Sequence, residues 1–151
     1  MTAEPGAAAP APRVLVVCTG NAARSQMAEA LLAREGVVAA SAGTHPAGVH
    51  PLTIRVLGEV GIDWSGARSK SVLEMLDQPW DLVLTVCDSA REACPVVPGA
   101  RRTSHEGFPD PAAAKGTGEE RLAAFRAVRD AIATRMAALA AELRAGPAAP
   151  P

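Results

Sequence analysis

The valine-rich run "RVLVVC" at Arg13–Cys18, apolar after its first residue, is the feature that most constrains the fold of this chain. It is rich in valine and does not alternate with polar residues, which is typical of a strand buried on both faces of a sheet. Residues 25–34 follow with helix-forming residues at helical spacing, and Gly36 ends that segment. A buried strand that leads into a helix indicates an α/β domain.

The same alternation continues along the chain and predicts a parallel sheet. Residues 37–42, 82–87 and, more weakly, 100–104 are further strand candidates, and residues 52–60 form an apolar segment that Gly61 ends. Residues 71–77 predict a short helix, with Ser71 as its N-cap and Glu74 completing a capping box. A long amphipathic helix is predicted from apolar residues three or four positions apart, namely Leu122, Phe125, Val128, Ile132, Met136, Leu139 and Leu143.

Composition limits the class of protein. The chain has 151 residues, 48% of them hydrophobic, which suits one compact domain, predicted at residues 13–145. We expect the Ala/Pro-rich residues 1–12 to be disordered and residues 146–151 to form a flexible tail. A net charge of −1 argues against nucleic acid as a partner. The sequence shows neither a membrane span nor a signal peptide, so we expect a cytoplasmic, monomeric protein.

Three cysteines are few, and an odd number of them, whereas a secreted disulfide framework usually has an even and larger number. In a reducing cytosol, thiols are more often catalytic, metal-binding or simply buried. Cys18 and Cys87 follow predicted parallel strands, where α/β sheets bind their ligands, so an inert role is less expected for them. Cys87 and Cys94 are seven residues apart, which does not fit the C-x₂₋₄-C spacing of zinc sites, and we predict no metal site.

The loop after the first strand has the properties of an oxyanion site. It is short, contains small residues and leads into a helix, so its backbone N–H groups can turn inward as a nest, where the helix N-terminus adds positive charge. Arg24 can close the nest with a bidentate fork, and Ser25 can donate a hydrogen bond to Cys18. The thiolate of Cys18 is stabilised in this field and becomes a nucleophile. The predicted anion-binding residues are Thr19, Gly20, Asn21, Ala22, Ala23, Arg24 and Ser25.

Cys87 and Cys94 would lie on one face of an intact helix but ~10 Å apart along its axis. A disulfide requires Cα atoms within about 7 Å. If these thiols pair, the segment must bend or unwind, and we predict a mobile loop or a short, marginal helix that Pro95 and Pro98 limit.

The stretch "VLVVCTGNAARSQMAEALL" resembles the anion loop of low-molecular-weight protein tyrosine phosphatases, and resembles still more the thioredoxin-coupled arsenate reductases built on that fold. The resemblance continues in "SAGTHPAG", "VGIDWSGARSKS" and "HEGFPDPAA", and covers about residues 13–143. It implies a three-layer α/β/α fold with a four-stranded parallel sheet.

The resemblance implies a relay that reduces arsenate to arsenite for arsenic detoxification. Arsenate binds residues 19–24 and is attacked by Cys18, with phosphate and sulfate as competing oxyanions. Cys87 then attacks Cys18, Cys94 attacks Cys87, and thioredoxin reduces the final disulfide without any bound cofactor. Asp110 matches the family's general acid, although an Asp-Pro pair can also simply cap a loop.

Some relatives bind potassium beside this loop through carboxylates. The matching positions here are Asn21, Glu29, Ser41 and Lys70, and an ammonium at the last of them predicts that no potassium site forms. His45, His50 and His105 share no metal-ligand spacing and are interpreted as surface or loop residues.

Three alternatives remain open at this point. The first is a phosphatase that uses Cys18, Arg24 and Asp110, although the chain has no tyrosine and alanines follow Pro111. The second is a reductase that takes electrons from a small thiol, against which only Cys94 argues. The third is a non-enzymatic thiol protein that binds arsenite or senses oxidants, which would have no use for an anion cradle.

Overall fold

The computed structural model describes residues 10–146, and the predicted disorder of residues 1–12 and 146–151 concerns mainly residues outside that range. Four parallel strands form one sheet in the order β2-β1-β3-β4. They are β1 (Arg13–Cys18), β2 (Val38–Gly43), β3 (Leu82–Thr85) and β4 (Thr103–His105). Helices complete the predicted three-layer α/β/α arrangement.

In the described part of the chain, residues 10–146, four α-helices connect and cover the strands. They are α1 (Arg24–Arg34), α2 (Pro51–Gly58), α3 (Asp88–Ala93) and α4 (Gly118–Ala145). Two 3-10 helices lie at Val72–Met75 and Pro111–Ala113. α1 packs against β1, β2 and α4, so the long apolar stripe predicted on α4 meets the core. No helix among residues 10–146 combines the length and apolarity needed to cross a membrane.

The first strand was predicted to the residue, whereas β3 is shorter than expected. β3 ends at Thr85 because its partner β4 ends at His105, opposite Thr85 in the register. Val86 still donates its backbone N–H to Val17 of β1, and the chain then turns into α3 at Cys87. Cys87 therefore lies beside the end of β1, next to the loop that begins at Cys18.

The fourth strand lies later in the chain than predicted. Ala100 makes only an isolated bridge to Trp80, and the ladder with β3 begins at Thr103. The predicted capping box is confirmed, because Ser71 accepts from the backbone of Leu73 while Glu74 accepts the backbone N–H of Ser71. That cap starts a 3-10 helix rather than an α-helix.

Candidate active site

Five residues separate the end of β1 at Cys18 from the start of α1 at Arg24. Asn21 occupies the left-handed region with φ +50°, a conformation that asparagine tolerates better than most residues. Gly43 lies against this loop, and a Cβ at that position would come 2.5 Å from the carbonyl oxygen of Thr19. Glycine at the end of β2 therefore permits the close approach that fixes the loop's path.

The backbone carbonyl oxygens of the loop face the segment that follows β2, residues 44–50. Backbone N–H groups of the following segment bind these oxygens at 2.8–3.1 Å, those of Thr44, His45, Ala47 and His50 reaching the carbonyls of Cys18, Thr19, Gly20 and Ala22. Within residues 10–146, none of the backbone N–H groups of residues 19–23 donates a hydrogen bond to another protein group. These amides are therefore available for an oxyanion at the N-terminus of α1.

Asn21 determines which way the hydrogen bonds around Cys18 run. Its Oδ1 accepts the backbone N–H of Lys70 at 2.9 Å, so Nδ2 is the atom that faces two serines. Nδ2 donates to Ser25 Oγ at 2.8 Å and to Ser41 Oγ at 2.9 Å, which uses both of its hydrogens. Ser25 keeps its own hydroxyl hydrogen, and Cys18 Sγ lies 2.8 Å from its oxygen. The hydroxyl therefore donates to Cys18 and favours the thiolate.

Replacing Ser25 with alanine is expected to lower the alkylation rate of Cys18 at neutral pH by about tenfold, because a charge-assisted hydrogen bond to the thiolate is lost. Iodoacetamide modification of a Cys87→Ser/Cys94→Ser background, followed by mass spectrometry, measures that rate. Ser25→Thr keeps the hydroxyl and serves as the control. Equal rates for the alanine and threonine variants would contradict the assigned direction of donation.

Arg24 and Asp110 face each other at the rim of the loop. Arg24 Nη1 donates to the carbonyl oxygen of Phe108 at 3.2 Å, and its Nη2 is 3.9 Å from Asp110 Oδ2. The other oxygen of Asp110, Oδ1, accepts the backbone N–H of Ala112 at 3.0 Å. The capping role and the predicted acid role of Asp110 therefore use different oxygens. The side chain is 44% exposed, so Oδ2 is accessible from solvent and from the anion loop.

All three cysteines are free thiols. Cys18 and Cys87 are buried, and Thr19 Oγ1 lies 3.3 Å from Cys87 Sγ, which brings Cys87 to the edge of the anion loop. Cys94 follows the last residue of α3 as its C-cap, and burial raises the pKa of its thiol. The predicted short helix between Cys87 and Cys94 is present, and it spans six residues.

Glu29, Ser41 and Lys70 form a charged cluster behind the loop. Ser41 donates to Glu29 Oε1 at 2.6 Å, and Lys70 Nζ lies 4.0 Å from the same oxygen. Burial raises the pKa of Glu29, while the Ser41 hydroxyl and the Lys70 ammonium act in the opposite direction. The Lys70 ammonium thus supplies positive charge at the Glu29 carboxylate, where relatives of this chain were expected to bind potassium.

Potassium is expected to leave any turnover at this candidate site unchanged, because the Lys70 ammonium already faces the Glu29 carboxylate. Steady-state turnover measured in sodium buffers and in potassium buffers of equal ionic strength checks this. Clear activation by potassium would contradict the prediction.

Within residues 10–146, no group of three or more His, Cys, Asp or Glu side chains is arranged to hold a metal ion.

The sequence did not predict several residues that support the loop. Gln26 is fully buried and its Nε2 donates to both the backbone oxygen and the Oδ1 of Asn21. Trp64 Nε1 in turn donates to Gln26 Oε1 at 2.8 Å. The available signal was a glutamine next to the buried apolar residues of "SQMAEALL".

Two histidines interpreted as surface or loop residues have structural contacts. His50 caps α2 by accepting the backbone N–H of Leu52, and its ring packs on Phe125. Burial and nearby Arg121 lower the pKa of His50, against the opposing effect of Asp110. His105 is the last residue of β4 and lies between Thr85 and Asp88.

The sequence matches the Low molecular weight phosphotyrosine protein phosphatase family over residues 13–148. Among curated relatives, an arsenate reductase of Halalkalibacterium halodurans is 43% identical over 127 residues, which are 82% of this chain and 91% of the relative. An arsenate reductase of Bacillus subtilis is 41% identical over 127 residues, with the same coverage of both chains.

Solved structures of both reductases and phosphatases resemble this fold. An arsenate reductase in its oxidized state has a TM-score of 0.74 at 28% identity, covering 87% of this chain and 98% of that chain. The YwlE arginine phosphatase from Geobacillus stearothermophilus has a TM-score of 0.71 at 29% identity, covering 89% and 94%. A Corynebacterium glutamicum thioredoxin-dependent arsenate reductase has a TM-score of 0.65 at 29% identity, covering 93% and 65%.

Proposed function

Because the chain belongs to the low molecular weight phosphotyrosine protein phosphatase family, we propose that it is an arsenate reductase that works through Cys18, Cys87 and Cys94. The observation that carries the proposal is the position of Cys87 Sγ, 3.3 Å from Thr19 Oγ1 at the edge of the anion loop. A phosphatase needs one thiol in such a loop, whereas a reductase needs a second thiol that can reach the first.

The first step is nucleophilic substitution at arsenic. Arsenate binds the inward-facing amides of residues 19–24 and the Arg24 guanidinium, and the Cys18 thiolate attacks arsenic. An arsenic–sulfur bond forms as an arsenic–oxygen bond breaks. Asp110 gives its proton to the departing oxygen, which leaves as water. The Ser25 hydroxyl donates a hydrogen bond to the attacking sulfur of Cys18.

The second step transfers the electrons. The Cys87 thiolate attacks Cys18 Sγ, a Cys18–Cys87 disulfide forms, and the electron pair of the arsenic–sulfur bond stays on arsenic, which leaves as arsenite. Cys94 then attacks Cys87 and releases Cys18 as the thiolate that the loop stabilises, which makes it the better leaving group. A dithiol protein, thioredoxin, reduces the resulting Cys87–Cys94 disulfide to two thiols.

The wider assignment follows from the same chemistry. The cradle recognises tetrahedral oxyanions by charge and shape, so phosphate and sulfate compete with arsenate. The single domain of residues 13–145 carries all of the proposed site residues. We infer a monomeric cytoplasmic enzyme of arsenic detoxification, since a thiol relay needs the reducing environment of the cytosol.

The test is arsenate-dependent NADPH oxidation in the presence of thioredoxin and thioredoxin reductase. We expect turnover with the wild-type chain and loss of multiple turnover with Cys94→Ser. An inactive wild-type chain would reject arsenate reduction, and an unchanged Cys94→Ser variant would reject the three-thiol relay. Turnover with glutathione and glutaredoxin but not with thioredoxin would favour the small-thiol alternative.

The second candidate function is phosphomonoester hydrolysis in the same cradle, favoured by the Cys18, Arg24 and Asp110 arrangement. Cys87 and Cys94 would then be incidental. We expect weak hydrolysis of an aryl phosphate even from a reductase, because phosphate fits the loop. A chain that hydrolyses aryl phosphate efficiently and does not reduce arsenate would make the phosphatase the principal activity.

A further inference from the structure

The disulfide that ends the proposed relay is incompatible with α3 as it stands. Arg91 N bonds to the carbonyl oxygen of Cys87 at 3.0 Å, and Cys94 N bonds to that of Ala90 at 2.8 Å, so both thiols flank one continuous helical segment. Residues seven positions apart on a helix are separated by about 10 Å, beyond the reach of a disulfide. Any contact that keeps α3 helical therefore opposes the disulfide.

Few contacts hold α3 in place. Ala90 is its one buried residue, and the other five are exposed. Within residues 10–146, the side chains of residues 88–93 make a single hydrogen bond, from His105 Nε2 to Asp88 Oδ1 at 3.1 Å. The first residue of α3 is thus tethered to β4, and of the remaining five residues only Ala90 is buried.

The tether has a rigid anchor at its other end. His105 Nδ1 lies 2.7 Å from Thr85 Oγ1, and its Nε2 carries the hydrogen that the carboxylate oxygen of Asp88 accepts. The backbone of the following residue, Glu106, donates to the carbonyl oxygen of Thr85 at 2.9 Å. The His105 side chain is 20% exposed and the Asp88 side chain 89% exposed, so the contact lies at the surface and can open without disturbing the core.

We propose that Asp88 and His105 are positioning residues that hold α3 helical in the reduced protein and thereby disfavour the Cys87–Cys94 disulfide. The inference rests on the proposed relay. Its benefit is one of order. If a small-molecule disulfide oxidised Cys87 and Cys94 to their disulfide prematurely and was itself reduced to two thiols, no Cys87 thiol would remain to attack Cys18. The tether also favours the reduced form and so assists reduction of the final disulfide.

The equilibrium of the disulfide can be measured without arsenate. In a Cys18→Ser background, Cys87 and Cys94 are equilibrated with mixtures of reduced and oxidised dithiothreitol, whose cyclic disulfide becomes a dithiol as the two protein thiols are oxidised. Acid quenching, alkylation and mass spectrometry give the oxidised fraction. We expect Asp88→Ala to raise the equilibrium constant for forming the protein disulfide by about two- to fivefold. This is the low end of the range for the loss of one hydrogen bond, because the site is exposed.

Two matched variants separate the tether from general effects of substitution. Asp88→Asn keeps the acceptor oxygen and is expected to stay within twofold of the parent, since the charge is not the source of the effect. Glu92→Ala removes another acidic residue of the same helix, one whose side chain makes no hydrogen bond within residues 10–146. This variant is also expected to match the parent. The proposal is overturned if the disulfide equilibrium constant of Asp88→Ala equals that of the parent. It is also overturned if Asp88→Asn or Glu92→Ala changes that constant as much as Asp88→Ala does.

A second readout distinguishes this proposal from the proposed function. In a chain that retains Cys18, Asp88→Ala is expected to leave aryl-phosphate hydrolysis unchanged, because that step uses neither Cys87 nor Cys94. An Asp88→Ala variant that loses hydrolysis would show a general structural defect and would also overturn the tether. If the wild-type chain fails to reduce arsenate while the dithiothreitol equilibria differ as expected, the proposed function fails and the tether stands.

Discussion

Cys18→Ser is expected to abolish both arsenate reduction and aryl-phosphate hydrolysis, with each rate falling by more than about a thousandfold. A serine hydroxyl is not ionised at neutral pH, so the Ser25 hydroxyl, the loop amides and the N-terminus of α1 have no thiolate to stabilise. Arsenite production, coupled to NADPH oxidation, and release of nitrophenol from an aryl phosphate measure the two activities.

The matched control is Cys87→Ser, which keeps the nucleophile and removes its attacker. This variant is expected to lose arsenate turnover while hydrolysing aryl phosphate at close to the wild-type rate, because hydrolysis requires water rather than a second thiol. Retention of either activity by Cys18→Ser would contradict the assigned nucleophile. Loss of hydrolysis in Cys87→Ser would mean that Cys87 shapes the anion loop itself.

Local pattern was sufficient for the parts of the fold that depend on short-range sequence. Val14–Cys18 is an uninterrupted apolar run that follows Arg13 and precedes a Thr-Gly-Asn segment, so both ends of β1 could be predicted. The apolar stripe did not predict where α4 begins, because the helix starts at Gly118 and its first turn carries no apolar residue of the core stripe. The overlooked signal is the capping box of Thr117 and Glu120, whose side chains bond each other's backbone.

Strand ends depended on partners that the sequence does not reveal. Residues 82–87 are apolar apart from Thr85, and apolar residues continue after it, so hydrophobicity gave no reason to end β3 there. The end is set by β4, which pairs with β3 through Thr103–His105. The separation of strand from helix at Cys87 matters for function, because it leaves the thiol at a turn beside the anion loop rather than inside the sheet.

The candidate site divides in the same way. Cys18, Arg24 and Ser25 lie within eight residues of chain, so the chemistry of the loop could be inferred from spacing. The orientation of Asn21 could not, because the Lys70 amide that fixes it is 49 residues away in sequence. The Asp88–His105 contact likewise exists only because β4 pairs with β3.

Asp110→Asn is expected to lower the rate of aryl-phosphate hydrolysis by about a hundredfold or more, within the range for loss of a general acid. The amide keeps the bond from Ala112 N to Oδ1, so the 3-10 helix that follows remains capped. It has no acidic proton to give to the leaving oxygen. The loss is therefore expected to be larger for phenyl phosphate, a poor leaving group, than for dinitrophenyl phosphate, whose leaving group departs without protonation. Initial rates for both esters measure the difference.

The control for charge is Glu106→Gln, which removes a nearby carboxylate that pairs with Arg135 instead of facing the loop. We expect both esters to be hydrolysed by this variant at close to wild-type rates. A loss in Asp110→Asn that is equal for the two leaving groups would indicate that Asp110 acts by positioning Arg24, 3.9 Å away, rather than by proton transfer. That result would assign the proton donor to solvent, because the oxygen of Asp110 that faces the arginine is open to it.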